Sequence, residues 1–278
     1  MKTDLPIEEC LNAAEELSGA EWEPQNQEDE ITVSTVRIKT EEGEKRLGRP
    51  KGMYVTLECP YIKENRLDIH GRIINGLTEI WKKFLDSVGN KEKILVVGLG
   101  NRDVTADALG PQVVGQILIT RHIRERMPEG WRAKLSEVSA LAPGVMGQTG
   151  IETGEIIESL VKTVKPEVVI AVDALAAGAL ERLVSTIQIC NTGIQPGAGI
   201  GNRRRELSQQ TLGIPVIAVG VPTVVNIGCL AENEEKNEYF ATPKDVDVVM
   251  KRLSLMIASS LNRVLHQLSE EELKAYLY

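Results

Sequence analysis

Aromatic side chains are scarce: three Trp, five Tyr and two Phe among 278 residues leave little material for stacking bases or sugars. Histidine is scarcer still. His70, His122 and His266 stand apart, so neither a His-centred triad nor a His-rich metal site is favoured. The four cysteines, Cys10, Cys59, Cys190 and Cys229, form no CxxC pair and read as reduced, buried thiols rather than a disulfide frame or a zinc cage. Long apolar runs are missing as well. The longest, Val168 to Leu180, is broken by Asp173 and falls short of the roughly 18–20 residues that a bilayer span needs. The opening MKTDLPIEEC lacks the apolar centre of a secretory signal, which implies a cytoplasmic protein with no membrane partner. Positive charge is in deficit, 32 Lys and Arg against 40 Asp and Glu. The net charge of −8 repels phosphate backbones and disfavours a nucleic-acid partner.

What is present has the texture of an α/β chain. Ile31–Ile38 and Met53–Glu58 alternate with period two or are rich in β-branched residues, and read as strands of an N-terminal β-arm laid against the body. Ile7–Leu17 before them is helical in spacing, Gly19–Glu30 is a polar stretch and Glu41–Gly52 a charged turn. Leu67–Val88 reads as a helix stopped at Gly89. From Lys93 onward, unbroken apolar runs at Ile94–Val97, Val168–Val172 and Pro215–Val219 predict strands buried on both faces. Glu137–Leu141 and Thr186–Cys190 are weaker ones. Helices are expected at Ala108–Arg126, Ile151–Thr163, Leu175–Leu183 and Pro243–His266, and a surface loop at Glu232–Phe240. This alternation implies one α/β domain over residues 1–278: a mostly parallel central sheet flanked by helices, residues 91–278 forming the core and 1–60 the helix and arm.

In such a fold, ligands bind beyond the carboxyl ends of the strands. The loop Gly98–Gly110 suggests a dinucleotide site, but the third glycine of G-x-G-x-x-G would fall on Asp103, whose charge repels a pyrophosphate. Two other acids stand out: Asp107 in that loop, and Asp173 at the end of Val168–Val172. Brought to one crevice, two carboxylates cannot both ionise cheaply, so one keeps a proton while the other deprotonates water; that suits amide hydrolysis. The same residues also fit plain structural roles, Asp107 as a first-turn acid and Asp173 as the N-cap of a following helix. Spacing alone leaves both readings open.

Longer runs carry a resemblance. VGLGNRDVTADALGP (97–111), PGVMGQTGIETGEII (143–157), KPEVVIAVDALAAGALERLVSTIQICNTGIQPGAGIGNRRRELS (165–208) and TLGIPVIAVGVPTVVN (211–226) resemble the bacterial germination proteases, as do both ends of the chain, KTDLPIEE and TPKDVDVVMKRLSLMIASSLNRVLH. The resemblance implies an endopeptidase that degrades small acid-soluble spore proteins, cutting after glutamate, on a core similar to that of hydrogenase-maturation proteases. It implies a homotetramer acting in the spore cytoplasm, and it places the family's proposed aspartates on Asp107 and Asp173. Members carry an N-terminal propeptide, whereas this sequence starts at residues resembling the processed start. The stretch from Asn226 to Ala241 is also shorter than the family's. A cut after glutamate calls for a cation, and Arg203-Arg204-Arg205 is the chain's only run of three bases; a solvated surface run is the alternative. The maturation-type relatives hold a metal through two acids and a histidine, but no histidine lies near Gly220–Asn226, so no metal or other cofactor is expected. A metal-dependent maturation-type protease and a non-catalytic binding protein on the same fold are the rival readings.

Overall fold

The structure, a computed structural model, describes residues 3–12, 19–28, 30–89, 92–199, 201, 204–228, 239–268 and 271–272. Its strands are β1 (Ala20–Glu28), β2 (Ile31–Ile38), β3 (Gly52–Glu58), β4 (Lys93–Gly98), β5 (Glu137–Leu141), β6 (Val168–Ala177), β7 (Thr186–Cys190), β8 (Val216–Asn226) and β9 (Phe240–Ala241). The principal helices are α1 (Pro6–Asn12), α2 (Glu41–Leu47), α3 (Leu67–Ser87), α4 (Leu109–Val114), α5 (Thr153–Val164) and α6 (Val246–Leu265). The strands form one sheet in the order β1-β2-β3-β7-β8-β6-β4-β5, with β9 added to β8. The expected parallel core is β8-β6-β4-β5. The arm does not lie on top of it. Through β7, antiparallel to both β3 and β8, it continues the same sheet edge to edge, so the sheet as a whole is mixed.

Alternation within the parallel strands sets the layers. Leu95, Val97, Val169, Ala171, Val216 and Ala218 point to one face, where α5 brings Ile157, Leu160 and Val161. Ile94, Val96, Val168, Ile170, Val172, Ile217 and Val219 point to the other, covered by α3, α4 and α6. Both faces are buried, which is why these strands read as unbroken apolar runs. On α3, Ile69, Ile73, Leu77, Ile80, Trp81 and Phe84 recur every three or four residues and make its core face. Trp81 is fully buried and donates its indole N–H to Ser260 Oγ of α6 at 3.2 Å.

Several elements differ from the expectations. The polar stretch after Gly19 is the edge strand β1, which contains Pro24 and slips register between Gln25 and Gln27. The charged turn holds α2: Thr40 Oγ1 accepts from Gly43 N–H, acids fill the first turn, bases the last, and Gly48 closes it at φ 60°. The long helix expected over Ala108–Arg126 stops at Val114. Beyond it, Asn262 of α6 takes the Leu118 N–H, and Thr120 Oγ1 takes the Val138 N–H, so the backbone there is tied to neighbours and keeps only short local turns of its own. His122, expected on that helix, sits exposed in a turn. The helix expected at Leu175–Leu183 is instead the end of β6 followed by one 3₁₀ turn at Leu180–Arg182. Pairing with β8 continues as far as Ala177↔Val225 and overrides the helix preference of the alanines. The loop expected at Glu232–Phe240 and Cys229 lie wholly or largely outside the described residues.

Candidate active site

Because β6 runs on to Ala177, Asp173 stands inside a strand, and the N-cap role is excluded. It follows Val169 and Ala171 on the α5 face, at the point where that face opens into a cavity of about 650 Å³. The residue is 5% exposed, and its Oδ1 accepts the Ala174 N–H at 2.9 Å.

Asp107 reaches the same cavity from the 3₁₀ turn Thr105–Asp107 that precedes α4. Three ties hold that turn. Leu99 N–H donates to Val172 O at 2.8 Å, Asn101 N–H to Asp107 Oδ2 at 2.7 Å, and Thr223 Oγ1 of β8 to Ala106 O at 2.6 Å. The glycines that suggested a phosphate cradle serve packing. A methyl on Gly98 would meet Gly110 O at 2.2 Å, so strand and helix touch backbone to backbone. Gly100 lies at φ 103°, and a methyl there would meet Asp107 O at 2.0 Å and its carboxylate at 3.0 Å. Gly100→Ala is therefore expected to destabilise the fold by roughly 1–3 kcal/mol and to push Asp107 out of register. Urea denaturation and a peptidase assay on the same preparation will read both effects. Asp103 is drawn away from the pair, accepting a bond from Gln148 Nε2 at 2.9 Å.

The two carboxylates are unequal. Burial lifts Asp107 above the ordinary carboxylate range, against the pull of the Asn101 N–H. Burial lifts Asp173 much further; the negative charges of Asp107 and then Asp4 add to that, and only the Ala174 N–H opposes it. Asp173 is thus the member that binds its proton more tightly, an inequality of the kind that lets one pair supply both an acid and a base.

Two further residues on the cavity wall were not anticipated. Asp4 Oδ1 lies 3.2 Å from Arg49 Nη2, just beyond the C-terminal end of α2. No local pattern marks Arg49 in Leu47-Gly-Arg-Pro-Lys51, since it acquires its place only when α2 folds. Of the arginine run, Arg204 lines the cavity and Arg205 turns away to pair with Glu158 of α5 at 2.8 Å. Arg203 lies outside the described residues. Among the described residues no group of three or more His, Cys, Asp or Glu is placed to hold a metal ion, and no helix is long and apolar enough to cross a membrane.

Residues 4–237 match the family model described as germination protease. The chain belongs to that family. Among curated relatives, the germination protease of Caldanaerobacter subterraneus subsp. tengcongensis is 39% identical, over all of this chain and 98% of its own length. That of Clostridium acetobutylicum is 38% identical, over all of this chain and 99% of its own length. That of Bacillus velezensis is 49% identical over 73% of this chain and 55% of its own. Among solved structures, the [NiFe] hydrogenase maturation protease HycI from Thermococcus kodakarensis KOD1 is 17% identical. It covers 64% of this chain and 97% of that one, with a TM-score of 0.37. As a germination protease family member the chain is a peptidase, and its matched region includes Asp4, Arg49, Asp107 and Asp173.

Proposed function

We propose that this germination-family protease cuts small acid-soluble spore proteins on the carboxyl side of a glutamate, in the spore cytoplasm and as a homotetramer, with Asp107 and Asp173 as its catalytic pair. The observation that carries the reading is the meeting of two unequal carboxylates on the wall of one cavity. In the proposed step, ionised Asp107 takes a proton from water as the water oxygen attacks the substrate carbonyl carbon. Protonated Asp173 gives its proton to the carbonyl oxygen. As the C–N bond breaks, the proton held by Asp107 passes to the leaving amine and one hydroxyl of the tetrahedral carbon returns its proton to Asp173, so that a new carboxyl group, a free amine and the pair in its starting state result. All of these protons come from the two side chains and the water, so the step needs no cofactor.

The test is to incubate the chain with a purified acid-soluble spore protein, with and without a chelator, and to map the cuts by mass spectrometry. Cuts confined to bonds after glutamate, at equal rate in both arms, are expected. Cuts at unrelated positions would remove the specificity, and activity lost to the chelator and restored by a divalent ion would remove the metal-free pair.

A further inference from the structure

The cavity already holds an acidic side chain supplied by the chain itself. The segment Thr3-Asp4-Leu5 runs beside the end of β6, where Asp4 N–H donates to Ala176 O at 3.0 Å and Asp4 Oδ2 accepts the Ala176 N–H at 3.0 Å. Gln188 Nε2 of β7 donates to Asp4 O at 3.3 Å. Arg49 grips both the Asp4 carboxylate and the Thr3 carbonyl. Room for the carboxylate comes from Gly199, where a methyl would lie 2.1 Å from Asp4 Oδ2. The residues that follow anchor the segment. Leu5 and Ile7 are buried against Leu175, and Glu8 accepts the N–H groups of Gly178 and Ala179 with the Arg182 guanidinium 3.6 Å away.

A short segment tied to a strand end by one backbone hydrogen bond, with its acidic side chain capped by a guanidinium, is a way for a protease to hold a peptide with an acidic residue beside the bond to be cut. The acid is close enough to the pair for its charge to act on Asp173. Arg49 and Arg204 are the arginines on the cavity wall among the described residues, and Arg49 is the one that holds a carboxylate. Its side chain is 24% exposed and that of Asp4 12%, enough shielding from water for a charged contact to discriminate between an acid and an amide. We propose that Arg49 forms the acid-recognising subsite of this protease and that Asp4 occupies it as an internal surrogate, which a substrate glutamate must displace. The proposal rests on the reading that the enzyme cuts after glutamate.

The experiment uses the full chain and two peptides that differ only in Glu or Gln before the cut bond. Replacing Arg49 with Met is expected to reduce the Glu-over-Gln ratio of kcat/KM by about 10- to 100-fold, the worth of one charge-assisted contact. Arg49→Lys is expected to restore part of it. Arg204→Met is expected to change the ratio far less. Asp4→Asn leaves Arg49 in place and is expected to lower KM for the Glu peptide more than for its Gln twin. An unchanged ratio in Arg49→Met, or a collapse in Arg204→Met alone, would overturn the assignment while cleavage after glutamate still stood. A KM for the Glu peptide that Asp4→Asn leaves unmoved would overturn the surrogate role. Should the unmodified protein show no preference for the Glu peptide at all, the fault lies with the underlying reading instead.

Discussion

Asp173→Asn is expected to lose at least about 10³-fold in kcat while gaining stability at neutral pH. On the proposed mechanism the loss follows from removing the group that carries the proton, and Asp107→Asn should cost as much by removing the base. The gain follows from linkage. Asp173 binds its proton more tightly folded than unfolded, because burial and the neighbouring acids penalise the ionised form. Between the unfolded carboxylate's pKa of about 4 and the higher folded value, the native state holds more protons, so stability falls as pH rises. Asparagine cannot ionise, and its oxygen can still accept the Ala174 N–H. Thermal unfolding of the two proteins should give a higher Tm for the variant at pH 7.5 and a shrinking difference toward pH 4. A variant that is less stable at neutral pH would show that Asp173 is held ionised. On the proposed mechanism the same inequality sets the pH profile of cleavage. The acid limb falls as Asp107 takes up a proton, and the alkaline limb falls as Asp173 gives its proton up.

Trp81→Ala is expected to cost about 3–5 kcal/mol of folding free energy. Trp81 has no exposed surface, sits where α3 meets α6, and makes the buried bond to Ser260. Alanine leaves a cavity lined by the core and removes the donor to Ser260 Oγ, whose hydroxyl keeps only its bond to Ile257 O. Leu67→Ala, at the 81% exposed start of the same helix, is the matched control and should stay within about 0.5 kcal/mol. Urea denaturation midpoints, at unchanged slope, will separate the two. A cost near 1 kcal/mol for Trp81→Ala would mean that the α3–α6 seam collapses around the gap.

The parallel strands were legible because a strand buried on both faces needs apolar residues at every position, as Ile94–Val97 and Val168–Val172 have. Strand β1 was not, because an edge strand is defined by a partner rather than by its own residues: Trp22 is 37% exposed, and Glu21 and Glu23 are exposed. The end of β6 misled for the opposite reason. Ala174 to Ala177 favour a helix locally, and only the length of β8 alongside keeps them extended. Asp107 and Asp173 could be singled out by their places after apolar runs. Asp4 and Arg49 could not, because they are 45 residues apart and their meeting depends on α1 docking at the end of β6 and on α2 closing beneath it.

The outermost strand has a bearing on how the protein behaves in a crowded cell. A long, regular ribbon at the border of a sheet is a template on which other chains can polymerise. Here that border carries a residue with no amide hydrogen at Pro24 and a slipped register just beyond it, flanked by glutamates. An incoming strand finds its ladder broken within a few steps, so the fold is guarded against uncontrolled growth of fibrils from its own flank.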